Sequence, residues 1–208
     1  MHFKKTIALL LTATALYIGK TTIDLNAPGS NAEVLNNQVE QVRIEPSREA
    51  ETNMQEIRIY NIPLADELQE YTFSLCKEND LDYEMVLAMM DQESDYKEKM
   101  ISKTNDYGLM QINKVNHGWL KEKLGIEDFL DAEQNILAGI IMLSELAGKY
   151  DDPHQVLMAY NNGETGAKRL WDQGATTSEY SRSIMARAEE LRKEMEECQS
   201  HAASAIAH

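Results

Sequence analysis

The segment NILAGIIMLSELAGKY, residues 135–150, is apolar around almost its whole circumference when it is drawn as a helix. A helix without a polar face is buried inside a domain rather than lying on its surface. Asp131 and Gln134 precede the segment with the spacing of a helix-capping pair. The sequence therefore predicts a central helix around which an α-helical domain packs.

Further helices are predicted around this one, because apolar residues recur three and four positions apart and the breaks fall at Gly, Pro and Asn. Pro63 suits the first position of a helix, and Asp152–Pro153 opens another that stops at NNG, residues 161–163. Thr176 and Glu179 predict the cap of a last helix, whose apolar stripe comprises Tyr180, Ile184, Ala188, Leu191, Met195 and Cys198. No segment alternates as a strand does, so the predicted fold class is mainly α.

The N-terminal residues 1–20 have the layout of a secretory signal, with Lys4 and Lys5 ahead of an apolar run. This layout predicts an extracytoplasmic protein. Cleavage of the signal and its retention as a membrane anchor both stay open, since the run is short beside the roughly 20 residues of a spanning helix.

Residues 21–61 are polar and show no sustained periodicity, which predicts a linker. As a flexible coil it would span about 35 Å, enough to hold a domain away from a membrane. The helical domain is predicted over residues 62–198 and a flexible tail over residues 199–208.

The composition limits the classes of partner. The chain carries 35 acidic and 20 basic residues, a formal charge of −15, which argues against a nucleic-acid partner. Hydrophobic residues make up 43% of the 208, enough for a core.

One acidic residue stands out in the segment DQESDYKEKM, residues 91–100. Glu93 continues a stripe spaced by four, whose apolar members are Leu81, Met85 and Met89. Asp91 and Asp95 are turned about 160° away from that stripe at 3.6 residues per turn. Burial raises the pKa of a carboxyl group, so Glu93 is a candidate general acid. A helix-end glutamate that bends out to water is the alternative interpretation.

Two further motifs are ambiguous when each is taken alone. YGLMQIN, residues 107–113, offers Gly108 for close backbone approach to a ligand and Gln111 for a hydrogen bond to a sugar. AYNNG, residues 159–163, is typical of a helix that ends on an Asn–Gly cap.

In their order along the chain, Glu93–Ser94, GLMQ at residues 108–111 and AYN at residues 159–161 resemble the soluble lytic transglycosylase family. That family shares its fold with goose-type lysozyme, and the resemblance covers about residues 64–191. It implies cleavage of peptidoglycan glycan strands between N-acetylmuramic acid and N-acetylglucosamine, without a metal or a cofactor.

The resemblance also implies roles for individual residues. Glu93 would protonate the glycosidic oxygen and then, as a carboxylate, take the proton from the C6 hydroxyl of muramic acid, which closes onto C1 as an anhydro sugar. The substrate-binding residues implied by the match are Ser94, Ser102, Gly108, Met110, Gln111, Tyr160, Asn161 and Tyr180. A tyrosine on an apolar helical stripe is also ordinary core, and both interpretations of Tyr180 stay open.

Asn105 and Asp106 depart from the Gly-Ala that many family members have before the GLMQ motif, and NDYGLMQIN resembles the segment of hen-type lysozymes that carries their second carboxylate. Asp106 is therefore a candidate second carboxylate, which would make the protein a hydrolytic muramidase. The alternative is that Asp106 caps a turn.

The third candidate function is a non-catalytic glycan-binding component of an assembly that crosses the cell wall.

Trp119 and Trp171 are better explained as core or helix-covering residues than as sugar-stacking ones. His117 has no partner at metal-ligand spacing, so no metal site is predicted. Cys76 and Cys198 either form a disulfide between the first and last helices or remain buried thiols.

Overall fold

The structure is a computed structural model, and it describes residues 57–206. The predicted signal and nearly all of the predicted linker lie outside the described residues. The described part is mainly helical, as the sequence predicts. Its helices are α1 (Asp66–Glu78), α2 (Tyr83–Ser94), α3 (His117–Leu124), α4 (Ala132–Ala147), α5 (Pro153–Asp172) and α6 (Glu179–Ile206).

The centre of the domain is formed by α2, α4 and α6. Helix α4 packs against α1 and α5, while α2 packs along α6. The side chains fully removed from solvent on these helices include Val86, Leu87, Met89, Met90, Ile136, Ile140, Leu143, Ile184 and Leu191. The prediction of a buried central helix is thereby confirmed for Ala132–Ala147, whereas Gly148 and Lys149 of the predicted segment follow the helix and are exposed.

Helix starts follow the local chemistry. The Asp131 carboxylate accepts a hydrogen bond from the Gln134 backbone N–H at 3.0 Å, which confirms the predicted cap of α4. Asp152 caps α5 through the backbone N–H of His154 at 2.9 Å, with Pro153 in the first turn.

The first and last helices start differently from the predictions. Helix α1 begins at Asp66 rather than at Pro63. Residues 60–64 instead form tight turns, whose backbone carbonyls are bonded by the side chain of Gln69. For α6, Ser178 and Ser181 exchange side-chain-to-backbone hydrogen bonds in a reciprocal box, so the predicted cap at Thr176 is wrong.

Three segments differ from the sequence predictions in their extent. Helix α5 breaks at Gly163 (φ 66°, ψ 156°) and then continues to Asp172 instead of ending at NNG. Helix α6 continues to Ile206, into the segment predicted as a flexible tail. Tyr60, which was assigned to the linker, is buried in the domain, because its ring packs on Tyr83 and its hydroxyl donates to Glu84 at 2.7 Å.

A short antiparallel hairpin is present where no strand was predicted. Its strands are β1 (Asp106–Tyr107) and β2 (Ile112–Asn113), which pair Asp106 with Asn113 and Tyr107 with Ile112. Strands of two residues are too short to show alternation, which explains why the sequence pattern did not reveal them. A 3₁₀ turn over Lys114–Asn116 leads from the hairpin into α3.

The two cysteines are free thiols, Cys76 being buried and Cys198 exposed. The disulfide alternative is therefore not seen, and Cys198 is not a buried thiol either, because the apolar stripe of α6 leaves the core before that residue. Among residues 57–206, the search for a helix long and apolar enough to cross a membrane found none.

Candidate active site

Glu93 lies at the C-terminal end of α2, one residue before the helix ends. The stripe that leads to it is buried, since Met89 is fully inaccessible and Met85 nearly so. The chain then turns away through Asp95 and Tyr96, which both have positive φ values of 49° and 59°. Such backbone strain in residues other than glycine is frequent next to functional sites. The sharp turn leaves Glu93 at the edge of the core, where it lines a cavity.

The environment of Glu93 favours its protonated form. Burial raises the pKa of this carboxyl group to about 7, the hydrogen bond from Tyr180 lowers it, and the negative charge of Asp106 raises it. The Tyr180 hydroxyl donates to Glu93 Oε1 at 2.5 Å. A carboxyl group with a pKa near neutrality can both give and take a proton at physiological pH.

Asp106 has the opposite environment although it lines the same cavity. Burial raises its pKa, but hydrogen bonds from Ser102, Thr104 and Asn113 outweigh burial, so the pKa lies below its ordinary value. Both carboxylate oxygens accept these bonds, Oδ2 from the Ser102 hydroxyl at 2.6 Å and Oδ1 from the Asn113 amide at 2.6 Å. Asp106 is thus held as a carboxylate, and it also closes the turn before β1.

The cavity has a volume of about 580 Å³. It is lined mainly by polar side chains, of which the sequence predicted Glu93, Asp106, Gln111, Tyr160 and Asn161. A second cavity of about 300 Å³ adjoins it and shares the wall residues Asn116, Met142, Tyr160 and Gly163. We refer to these two adjoining cavities together as the groove; Glu93 lines one part and Trp119 the other.

Two predicted residues in the groove are fixed by hydrogen bonds to the hairpin turn. The Tyr160 hydroxyl donates to the Met110 carbonyl at 2.9 Å, and burial raises the pKa of Tyr160 well above its ordinary value. Gln111 has a φ of 46°, and its Nε2 donates to the Gly108 carbonyl at 2.7 Å. Asn161 is exposed on α5.

Five residues assigned to substrate binding do not line the groove, among them Tyr180, whose hydroxyl bonds Glu93. Ser94 is 2% exposed, and its hydroxyl bonds the carbonyls of Met90 and Leu109. Met110 is fully buried. The assignments of Ser94 and Met110 to direct sugar contact are therefore wrong, because both side chains are used in packing.

Gly108 and Ser102 contact other protein side chains instead of lining the groove. Gly108 has a φ of 74°, and a Cβ there would lie 2.4 Å from the side-chain nitrogen of Asn135. The absence of a side chain at Gly108 thus makes room for the amide of Asn135. Ser102 bonds the Asp106 carboxylate and the Thr104 hydroxyl.

The structure also places residues in the site that the sequence argument missed. Thr104 and Asn113 bond Asp106, while Asn116, Val115, Met142 and Asn162 complete the lining of the main cavity. Val115 is 83% exposed, an unusual position for an apolar side chain. The available signal was the cluster of Asn and Thr around Asp106, since such residues bond neighbouring carboxylates and turns.

The aromatic residues divide between the groove and the core. Trp119 lines the second cavity, with its ring nitrogen 3.3 Å from Asn116 Oδ1. Trp171 instead packs against Tyr150. His117 stacks on Phe129 with ring centroids 3.6 Å apart, which is a packing role.

Comparison with known families identifies the family to which this chain belongs. The Transglycosylase SLT domain family matches residues 70–184, more than half of the chain, and the chain belongs to that family. The match includes α2 with Glu93, the hairpin, and Tyr180.

Two curated proteins illustrate the relationship. The chain is 38% identical over 71 residues to a protein named membrane-bound lytic murein transglycosylase F from Desulfosudis oleivorans, covering 34% of this chain and 15% of that protein. It is 30% identical over 105 residues to a transglycosylase of Enterobacteria phage PRD1, covering 50% of this chain and 37% of the phage protein. The chain thus matches well under half the length of these relatives.

Solved structures support the fold. An inactive mutant of the lytic transglycosylase Slt from Pseudomonas aeruginosa superposes with a TM-score of 0.54 at 18% identity, covering 65% of this chain and 25% of that one. The 70 kDa soluble lytic transglycosylase of Escherichia coli gives a TM-score of 0.53 at 19% identity, covering 62% of this chain and 26% of that one.

Proposed function

We propose that this protein is a lytic transglycosylase that cleaves peptidoglycan glycan strands between N-acetylmuramic acid and N-acetylglucosamine. The observation that carries the proposal is Glu93, a half-buried carboxyl group with a pKa of about 7 at the wall of a polar groove. Membership of the transglycosylase family supports the reaction class.

Glu93 performs both proton transfers in the proposed mechanism. In its protonated form it gives a proton to the glycosidic oxygen, so that the N-acetylglucosamine hydroxyl leaves from C1 of muramic acid. The resulting carboxylate takes the proton of the C6 hydroxyl, whose oxygen bonds C1 and yields the 1,6-anhydro product. No water is consumed, and Glu93 returns to its protonated form.

The hydrogen bond from Tyr180 favours the second half of this cycle. The hydroxyl donates to Glu93 Oε1, and the pKa of Tyr180 is raised well above its ordinary value by burial and by the neighbouring Glu93. Tyr180 therefore stays a donor and stabilises the carboxylate formed after the first proton transfer.

The test replaces Glu93 with Gln, which keeps the shape of the side chain but removes its transferable proton. We expect the release of soluble glycan fragments from purified peptidoglycan to fall by at least about 100-fold, the lower range for a positioned acid–base group. Asp95→Asn is the matched control, since Asp95 is an exposed carboxylate two residues away. Turnover by Glu93→Gln at the wild-type rate would overturn the proposal.

A hydrolytic muramidase is the second candidate, and the position of Asp106 in the same cavity favours it. A permanently ionised carboxylate there would stabilise positive charge at C1 or form a glycosyl intermediate. Asp106→Asn separates the two: a transglycosylase keeps most of its rate and its anhydro product, whereas a hydrolase loses activity. Thr104→Val removes one hydrogen bond to the Asp106 carboxylate while keeping its charge, and it controls for disruption of the turn.

The proposed location is outside the cytoplasm, where peptidoglycan lies. The lysine-led apolar run of residues 1–20 supports it. Fractionation of cells expressing the full chain tests it, and recovery of the protein with the cytosol would contradict it.

A further inference from the structure

Asn135, in the first turns of α4, is a buried polar residue in the otherwise apolar central helix. It is completely inaccessible to solvent. Its Oδ1 accepts a hydrogen bond from the Met110 backbone N–H at 2.8 Å, and its Nδ2 donates to the carbonyls of Tyr107 at 2.7 Å and Phe129 at 2.8 Å. One side-chain amide thus satisfies three backbone groups, and these partners fix which of its ends is oxygen.

The backbone around Asn135 is shaped to receive the hairpin turn of residues 108–111. Gly108 leaves room for the amide, as described above. Gly139 follows Asn135 by one turn of α4 and leaves room for the Met110 side chain. A Cβ at Gly139 would lie 2.2 Å from the sulfur of Met110. The turn therefore sits in a notch on α4, and Asn135 is its polar contact there.

The same turn is bonded to the two helices that carry groove residues. The Leu109 carbonyl accepts from Ser94, the neighbour of Glu93 on α2. The Met110 carbonyl accepts from Tyr160 on α5. The 108–111 turn therefore fixes the position of the hairpin relative to Glu93.

We propose that Asn135 is a positioning residue for glycan cleavage, holding the 108–111 turn so that Asp106 and Gln111 line the groove together with Glu93. This inference rests on the proposed function. It assigns no contact with substrate to Asn135, which is too deeply buried for one. A displacement of about 1 Å in a positioning element can cost on the order of 100-fold in rate.

Gln69 on α1 provides a matched control. It is also completely buried, and its amide likewise satisfies three backbone groups. It accepts from the Tyr60 N–H at 2.8 Å and donates to the carbonyls of Tyr60 at 3.0 Å and Leu64 at 2.9 Å. Gln69 lines neither part of the groove. Replacing Gln69 therefore removes the same kinds of side-chain-to-backbone hydrogen bond and leaves the hairpin in place.

The experiment compares Asn135→Leu with Gln69→Leu in the full chain. For both variants the folded fraction is measured by circular dichroism, and the rate of fragment release is expressed per folded molecule. We expect kcat to fall at least about 10-fold in Asn135→Leu, with a smaller change in KM, and to stay within about 2-fold of wild type in Gln69→Leu.

A second readout does not depend on turnover. Displacement of the hairpin moves the Asp106 charge away and opens the site to water, and both changes lower the pKa of Glu93. A ¹³C NMR titration of the Glu93 carboxyl carbon should therefore give a lower midpoint in Asn135→Leu and an unchanged one in Gln69→Leu. This titration remains informative if the wild-type protein does not cleave peptidoglycan, in which case the proposed function fails separately.

Equal kcat per folded molecule and equal Glu93 midpoints in the two variants would overturn the inference. If Asn135→Leu does not fold, the comparison is repeated with the isosteric pair Asn135→Asp and Gln69→Glu, which keep the acceptor oxygen and lose the donors. If neither Asn135 variant folds while both Gln69 variants do, Asn135 is a residue of the fold alone and the inference is likewise overturned.

Discussion

Replacing Glu93 with Gln should make the protein more stable at neutral pH and abolish the proposed glycan cleavage. In the folded protein, burial raises the pKa of Glu93 from 4.5 to about 7. The folded state therefore holds a proton that the unfolded chain releases above pH 4.5. Stability from this group is complete below pH 4.5 and is lost as the pH rises to about 7.

The size of the effect follows from the difference between the two pKa values. Each pKa unit corresponds to about 1.4 kcal/mol, so the shift accounts for about 3 kcal/mol of lost stability above pH 7. Gln cannot ionise and resembles the protonated acid. The difference in unfolding free energy between Glu93→Gln and wild type should be near zero at pH 4.5, grow with pH and level off near pH 7.

Urea unfolding followed by circular dichroism between pH 4.5 and pH 9 measures this difference. Asp95→Asn is the control for the loss of a carboxylate close to Glu93, since Asp95 is an exposed side chain two residues away. A difference for Glu93→Gln that does not change with pH would refute the reasoning. A variant that becomes less stable than wild type as the pH rises would refute it more strongly.

Three further perturbations test separate parts of the account. Tyr180→Phe removes a hydrogen bond that lowers the pKa of Glu93, so the alkaline midpoint of the pH–rate profile should rise; an unchanged or lower midpoint argues against the contact. Gly108→Ala combines a positive φ with a steric collision and should lower the unfolding free energy by more than about 2 kcal/mol in urea titrations; a smaller loss argues against the close packing. Arg58→Ala removes the ion-pair partner that lies 2.8 Å from the buried Glu84. It should lower the unfolding free energy by roughly 2 kcal/mol in urea titrations. An unchanged urea midpoint would show that this ion pair does not hold residues 57–60 on the domain.

The sequence predicted the helices well, because their signals are local and repeated. The four-residue spacing that ends at Glu93 placed this residue correctly at the edge of the core. The predicted cap at Thr176 failed because Ser178 offers the same chemistry two residues later, and a sequence pattern does not rank neighbouring hydroxyl groups. The hairpin was missed because pairing between residues 106 and 113 depends on the tertiary fold.

The site was only partly predictable, for a physical reason. A motif match indicates which residues the site requires, but it does not separate residues that would contact substrate from residues that support them. Ser94 and Met110 were assigned to the groove and are buried. Asn135 was overlooked, although a polar residue in an apolar helix always requires partners for its amide.

The most direct test of the central proposal is mass spectrometry of the fragments that the full chain releases from purified peptidoglycan. We expect 1,6-anhydro-muramoyl products, one water lighter than hydrolysed ones, from the wild-type protein and from Asp95→Asn, and essentially none from Glu93→Gln. Products that carry a full water at the reducing end, or anhydro products released by Glu93→Gln at the wild-type rate, would contradict it.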